Sequence, residues 1–259
     1  RFHTRLSLAS SNTDEVIGSR LLAKKPGAAH DELRNVFAAK GDIINNQLAF
    51  AGDSVTLRGY RDAADYVTNY PFAPYQFFLL SKVFEAIRRN GATGKHLSKG
   101  ERSLLDAFQQ AAKSIADQTD TVLVPLYAFY PSIESFLEST VRHSIDNAEK
   151  GVGGIFEAFD ILLLKTLFLI RYIPEIIKGT VDNLATLCVD QIDCDKLALK
   201  RRIQESLQRL ERQSLVSRNG EQWMFLTNEE QDIAREISHV AISHDEMSHK
   251  LADLVFSQV

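Results

Sequence analysis

The dipeptide Asn219-Gly220 constrains this chain more than any other feature. It lies between two strand-like runs, Leu215-Val216-Ser217 and Gln222 to Leu226. An Asn-Gly centre supplies the positive φ angles a two-residue hairpin turn requires, so the runs are expected to pair as a tight hairpin. Just upstream, residues 198–212 place Leu199, Ile203, Leu207 and Leu210 on one helical face, and Val181, Leu184, Leu187 and Cys188 mark a helix before that. Two helices followed by a hairpin have the order of a winged helix, here over residues 180–228.

Charge then asks what that unit does. Residues 196–218 hold seven basic side chains, Lys196, Lys200, Arg201, Arg202, Arg209, Arg212 and Arg218, against two acidic ones, Glu205 and Glu211. If they point outward they neutralise several duplex phosphates, with an affinity that falls steeply with salt, so these seven are the candidate DNA-binding residues. A solvated basic face, or a winged helix that docks on protein, gives the same pattern. The net charge of −4 excludes a protein that coats nucleic acid over its whole surface, so any such binding is regional. Trp223, in the hairpin, is expected to pack on the helix beneath it.

Beyond the hairpin, Thr227 or Asn228 is expected to cap a last helix whose first turn carries Glu229, Glu230 and Asp232. Ile233, Ile237, Val240, His244, Met247, Leu251 and Leu254 follow at alternating steps of four and three, a heptad seam suited to a partner helix. Ile237, His244, Met247 and Leu251 are therefore candidate partner-binding residues. His239, His244 and His249 lack the HExxH spacing and have no cysteine nearby, so no metal site is expected.

The middle of the chain, from Tyr70 to Ala112, reads as two helices around a glycine-punctuated basic loop. Phe78, Leu79, Val83, Phe84 and Ile87 line the first, which closes on Arg88, Arg89 and Gly91. The second opens near Ser98 and buries Leu104, Leu105 and Phe108. Arg102 falls in its first turn, where a cation is disfavoured, so an anionic partner is expected: Asp106 one turn on, or a bound anion. Gly94-Lys95 is not a Walker A loop, because Arg89 and His96 occupy the positions that need Gly and Ser or Thr.

Three runs carry a resemblance: YPFAPYQFFLLSKVFEAIR with GATGKHLSKGERSLLDAFQQAA, RFHTRLSLASSNTDEVIGSRLLAKK at the start, and DKLALKRRIQESLQRLERQSLVSRNGEQWMFLTNEEQDI near the end. Together they resemble the BrxC and PglY family, the large P-loop ATPases of BREX phage-defence systems. The resemblance implies a mainly α fold, a helical AAA+ lid-like bundle followed by a winged-helix domain with a small β-hairpin. Residues 1–12 would end the AAA+ core as a strand, 13–150 form the lid-like domain, 151–179 a connecting buried helix, 180–228 the winged helix and 229–259 an amphipathic helix. It also implies ATP and Mg²⁺ in the parent protein, a homo-oligomer, other BREX components and duplex DNA as candidate partners, and nucleotide-proximal roles for Arg102, as a sensor-2 arginine, and Arg5. No Walker A or Walker B motif is present, so the chain reads as an excised, non-catalytic piece that needs no cofactor of its own; Arg1 at its start and a helical pattern still running at Val259 fit that reading.

Length and composition suit one large or two ordinary domains: 259 residues, 44% apolar. Two cysteines, Cys188 and Cys194, build no disulfide framework and suit a reducing cytoplasm. The most apolar stretch, residues 155–177, is interrupted by Glu157, Asp160, Lys165 and Arg171, so it reads as a buried helix broken at Pro174 and not as a membrane span. Elsewhere Phe2, Leu6 and Leu8 suggest a strand, Thr13 a helix start, and residues 29–39 a helix that Gly41 ends. Residues 43–57 fit two short strands or a loose helical segment, and residues 62–70 a helix stopping before Pro71. Residues 121–126 fit a strand or a helix start at Pro125. Tyr127, Phe129, Tyr130 and Phe136 read as core, Ser132 to Ile145 as one helix, and Gly151, Gly153 and Gly154 as a hinge.

Overall fold

The computed structural model describes residues 13–24, 27–52, 57–89, 100–118 and 121–239. The expected first strand, with Arg5, the loop around Gly94-Lys95, and His244, Met247 and Leu251 lie outside the described residues. Within them the fold is mainly helical: α1 (Thr13–Val16) running into a π turn, α2 (Ala28–Gln47), α3 (Ala63–Asn69), α4 (Pro74–Arg89), α5 (Gly100–Ser114), α6 (Tyr130–Glu134), α7 (Ser139–Lys150), α8 (Ala158–Ile170), α9 (Val181–Cys188), α10 (Lys196–Arg212) and α11 (Asn228–His239). The sheet is one antiparallel hairpin, β1 (Val216–Asn219) and β2 (Gln222–Phe225), with Val216 opposite Phe225 and Asn219 opposite Gln222. The two-residue turn is Gly220-Glu221, one position later than an Asn-Gly centre would set it: Asn219 closes β1 opposite Gln222, and Gly220 takes the left-handed φ of 62° that the first turn position needs.

Helix ends follow local chemistry. Asp62 caps α3 by accepting from the Asp65 amide, Thr180 caps α9 through the Asn183 amide, and Asp195 caps α10 through the Leu197 and Ala198 amides. Thr227 and Glu230 form a reciprocal box at the start of α11, each side chain accepting from the other's backbone N–H at 3.3 and 2.7 Å. A second box, Glu157 with Asp160, starts α8. That start leaves Ile155 in solvent at 59% exposure, so the apolar helix begins three residues later than hydropathy alone suggests.

Two expected boundaries move. Gly41 does not end α2, which runs on to Gln47. A Cβ at Gly41 would come within 3.1 Å of the Phe37 ring, so the glycine makes room for that ring, and burial of Ile44 and Leu48 outweighs its helix cost of about 1 kcal/mol. The segment left open after it is thus helical in its first part. Ser132 to Ile145 is two helices, because the chain turns after Glu134 to bury Leu137 and re-enters helix at Ser139. Residues 121–126 form no strand, only a single bridge between Val122 and Gln191, and the helix start at Pro125 is the alternative that holds: Pro125 is the N-cap of a 3₁₀ helix, Leu126–Phe129.

One continuous apolar core runs through the described residues. In its first half Phe72, Phe77, Phe108 and Phe129 meet ring to ring, with Phe77 stacked on Phe108 at 4.9 Å. Phe129 and Tyr130 are fully buried, so the aromatic run is core. In the second half α8 is the axle. It packs on α7, α9, α10 and β2, while α10 also touches β1. α10 packs on α8, and Ile203, Leu207 and Leu210, the face the sequence marked, are buried in the same core as Leu163, Leu167 and Phe168 of α8. Among the described residues no helix is long and apolar enough to cross a membrane.

Candidate functional site

The candidate nucleic-acid interface is the unit formed by α8, α9, α10 and the hairpin, and its geometry turns on what the seven basic side chains touch. Three are tied by hydrogen bonds or ion pairs to other helices. Arg209 reaches down to α8, its Nε and Nη2 donating to the two carboxylate oxygens of Asp160 at 2.8 Å each, with Glu157 at 3.3 Å from Nη1. Asp160 is wholly buried in the otherwise apolar helix. Burial alone would raise its pKa, but hydrogen bonds from Arg209 and from the Glu157 amide outweigh it and hold the carboxyl below its usual range. Lys196 turns the other way. Its ammonium donates to the carbonyls of Gln47 at 2.8 Å and Asn46 at 3.2 Å, capping the C-terminus of α2, and to Thr186 Oγ1 at 3.0 Å. Lys200 pairs with Asp182 of α9 at 2.5 Å.

Four arginines stay exposed: Arg201, Arg202, Arg212 and Arg218. Arg202 lies 4.1 Å over the Phe159 ring, and Arg218 sits 5.5 Å over Trp223 while its Nε donates to the Gly220 carbonyl. Arg201 and Arg212 share the outward face of α10, eleven residues and about 16 Å apart. Glu205 and Gln208 stand between them on that face, and exposed Leu197 precedes them. The surface offered outward is of mixed charge, far from the seven-to-two excess of the sequence.

The hairpin is fixed from below. The Trp223 amide donates to the Gly179 carbonyl at 2.9 Å, and a Cβ on Gly179 would lie 2.3 Å from the Trp223 carbonyl oxygen. The segment before α9 thus pairs with the outer edge of β2, and Trp223 is buried as expected. Arg171, at the end of α8, donates to the Phe225 carbonyl at 2.7 Å and pairs with Glu230 of α11 at 2.8 Å; those hydrogen bonds hold the Glu230 carboxyl below its usual range. A crevice of about 290 Å³ lies between β2 and residues 170–179, walled by Ile170, Pro174, Ile177 and Met224.

The other candidates are spread apart. Arg102 lies on the first turns of α5, and Asp106, its expected partner, accepts from Gln110 at 2.8 Å. Ile237 sits on α11 at 68% exposure. Among the described residues no group of three His, Cys, Asp or Glu side chains is gathered as a metal site would need. Sequence reasoning missed Asp160 and Arg171, which it took only as charges interrupting an apolar run. The available signal was the i, i+3 pair Glu157 and Asp160 at a helix start. Set against known proteins, no family model matches the chain, and no solved structure matches it.

Proposed function

We propose that this chain is the non-catalytic lid and winged-helix portion of an AAA+ type ATPase of a BREX phage-defence system, coupling nucleotide state to the binding of a partner or of DNA. The sequence resemblance supplies the family. The observation that carries the coupling role is Lys196: a side chain of α10 that closes the C-terminal carbonyls of α2 and so joins the helical bundle to the helix–hairpin unit. Two further contacts reinforce the joint, Lys40 with Asp193 at 2.7 Å and Gln47 with the Cys194 carbonyl at 2.6 Å. Motion imposed on the bundle by a nucleotide is therefore passed to α10. In this reading ATP and Mg²⁺ are held by Walker motifs elsewhere in a cytoplasmic, homo-oligomeric parent, and Arg102 reaches the γ-phosphate from α5, where the planar fork of arginine suits the task. The test is ATP turnover by the full-length protein. Arg102→Ala is expected to lower it at least tenfold while leaving the fold intact by circular dichroism; unchanged turnover refutes the assignment.

A second reading, a DNA-binding regulator, is favoured by one observation, the exposure of Arg201, Arg202, Arg212 and Arg218. Its reach is limited by the acidic residues among them.

A further inference from the structure

The outer edge of β2 is fastened at two points and left open between them. At one, the Trp223 amide donates to the Gly179 carbonyl at 2.9 Å; at the other, Arg171 Nη1 donates to the Phe225 carbonyl at 2.7 Å. Between these fastenings the chain that follows α8 runs through turns around Pro174 and makes no backbone bond to the strand, so a gap remains beside it, the crevice of about 290 Å³. Leu167, Ile170 and Ile177 line it from the buried side, and Met224 lines it at 44% exposure. Three polar side chains line it as well, Lys178, Ser217 and Gln222, and none of them has a hydrogen-bond or ion-pair partner among the described residues. Ser217 stands opposite Met224 in the hairpin and Gln222 lies two positions from it, so these three share one face. The other charged residues of the lining, Arg171 and Glu230, pair with each other at 2.8 Å, which leaves Lys178 as the one uncompensated charge.

We propose that this crevice binds a small amphiphilic anion, a monocarboxylate with an aliphatic tail. Mostly apolar walls with a few polar groups at fixed places are the usual form of a small-molecule site, and here the aliphatic walls select the tail. The space takes roughly ten non-hydrogen atoms at about 30 Å³ each, the size of an eight-carbon acid. Lys178 selects the head. A single negative charge answers its ammonium, a neutral head leaves it unused and a cationic head is repelled, while the Ser217 hydroxyl and the Gln222 amide add donors that a carboxylate accepts. Both fastenings of β2 hold in the chain alone, so the walls stand before a ligand arrives and little ordering is needed on binding. The site uses neither Arg102 nor the outward arginines of α10, and it stands or falls separately from the ATPase and DNA readings.

The experiment is titration of the 259-residue chain with octanoate, 1-octanol and octylammonium, followed by the emission of Trp223, which lines the crevice and is the single tryptophan. Octanoate is expected to give a saturable change and to bind about threefold or more tighter than octanol, the size of an exposed ion pair, with octylammonium the weakest of the three. Shortening the acid to hexanoate is expected to weaken binding by more than about tenfold, at about fourfold for each methylene withdrawn from apolar surface. Lys178→Met is expected to erase the advantage of octanoate over octanol and to leave octanol unchanged, and Met224→Asp to weaken both. Each of these side chains is exposed, so circular dichroism and the thermal midpoint are expected to stay native. Emission that shows no saturation in the millimolar range overturns the proposal. So does octylammonium binding as tightly as octanoate, a comparison made on the native chain that depends on no variant. Binding that Met224→Asp leaves intact places the ligand elsewhere and equally overturns it.

Discussion

Arg209→Met is expected to lower the unfolding free energy by about 3 kcal/mol, to be read by urea denaturation at neutral pH. The substitution keeps the stem that crosses α8 and removes the fork that holds Asp160 at both oxygens. A wholly buried carboxylate is then left without its cation, and breaking a buried pair from one side costs about 3–5 kcal/mol. The lower end applies because the Arg209 side chain is itself 24% exposed. Asp160→Asn in the Arg209→Met background recovers part of the loss, because the amide carries no charge and still accepts from the Glu157 amide. Acidity separates this pair from packing. The folded-state pKa of Asp160 lies below its unfolded value, so the pair's contribution is complete above the unfolded value and disappears as pH falls through the folded one. The native chain therefore loses this stability only in strong acid, and Arg209→Met shows no matching loss.

Gly179→Ala is expected to cost about 2–4 kcal/mol and to loosen the hairpin. Its new methyl would stand 2.3 Å from the Trp223 carbonyl oxygen, a backbone atom that cannot rotate away, and 3.3 Å from Leu167. Relief requires β2 to move off residues 177–179, which breaks the 2.9 Å bond from the Trp223 amide to the Gly179 carbonyl. Trp223 is the single tryptophan and is buried, so its emission reports the movement directly as a red shift and easier quenching. Unchanged emission and midpoint would show that the segment before α9 yields instead.

How much of this was legible depended on the range of the interaction. The hairpin was readable because Gly220 sets a tight turn locally, although the turn falls on Gly220-Glu221 and not on Asn219-Gly220, and α10 was readable because Ile203, Leu207 and Leu210 repeat on one face. The start of α11 was readable from Thr227, whose hydroxyl acts on the amide three residues away; Thr180 does the same for α9, a cap the sequence reading passed over. What depends on distant partners was not. Gly41 continues a helix because of Phe37 and the core beyond it, and Leu137 breaks one because of where the core lies. The charge count suffered most. Seven cations in 23 residues suggested one face, yet Lys196 serves carbonyls about 150 positions earlier in the chain and Arg209 a carboxylate 49 positions earlier. No local pattern separates a lysine that caps a remote helix from one that meets a phosphate.

The cations of residues 196–218 divide into those that hold the fold and those that face outward. Duplex DNA titrated at several salt concentrations measures that division. Four exposed arginines give a log–log slope no steeper than about −4, at roughly −0.9 per phosphate neutralised. A slope near −6, the value expected if all seven contact the duplex, would require Lys196, Lys200 and Arg209 to leave the partners described above and would contradict the account.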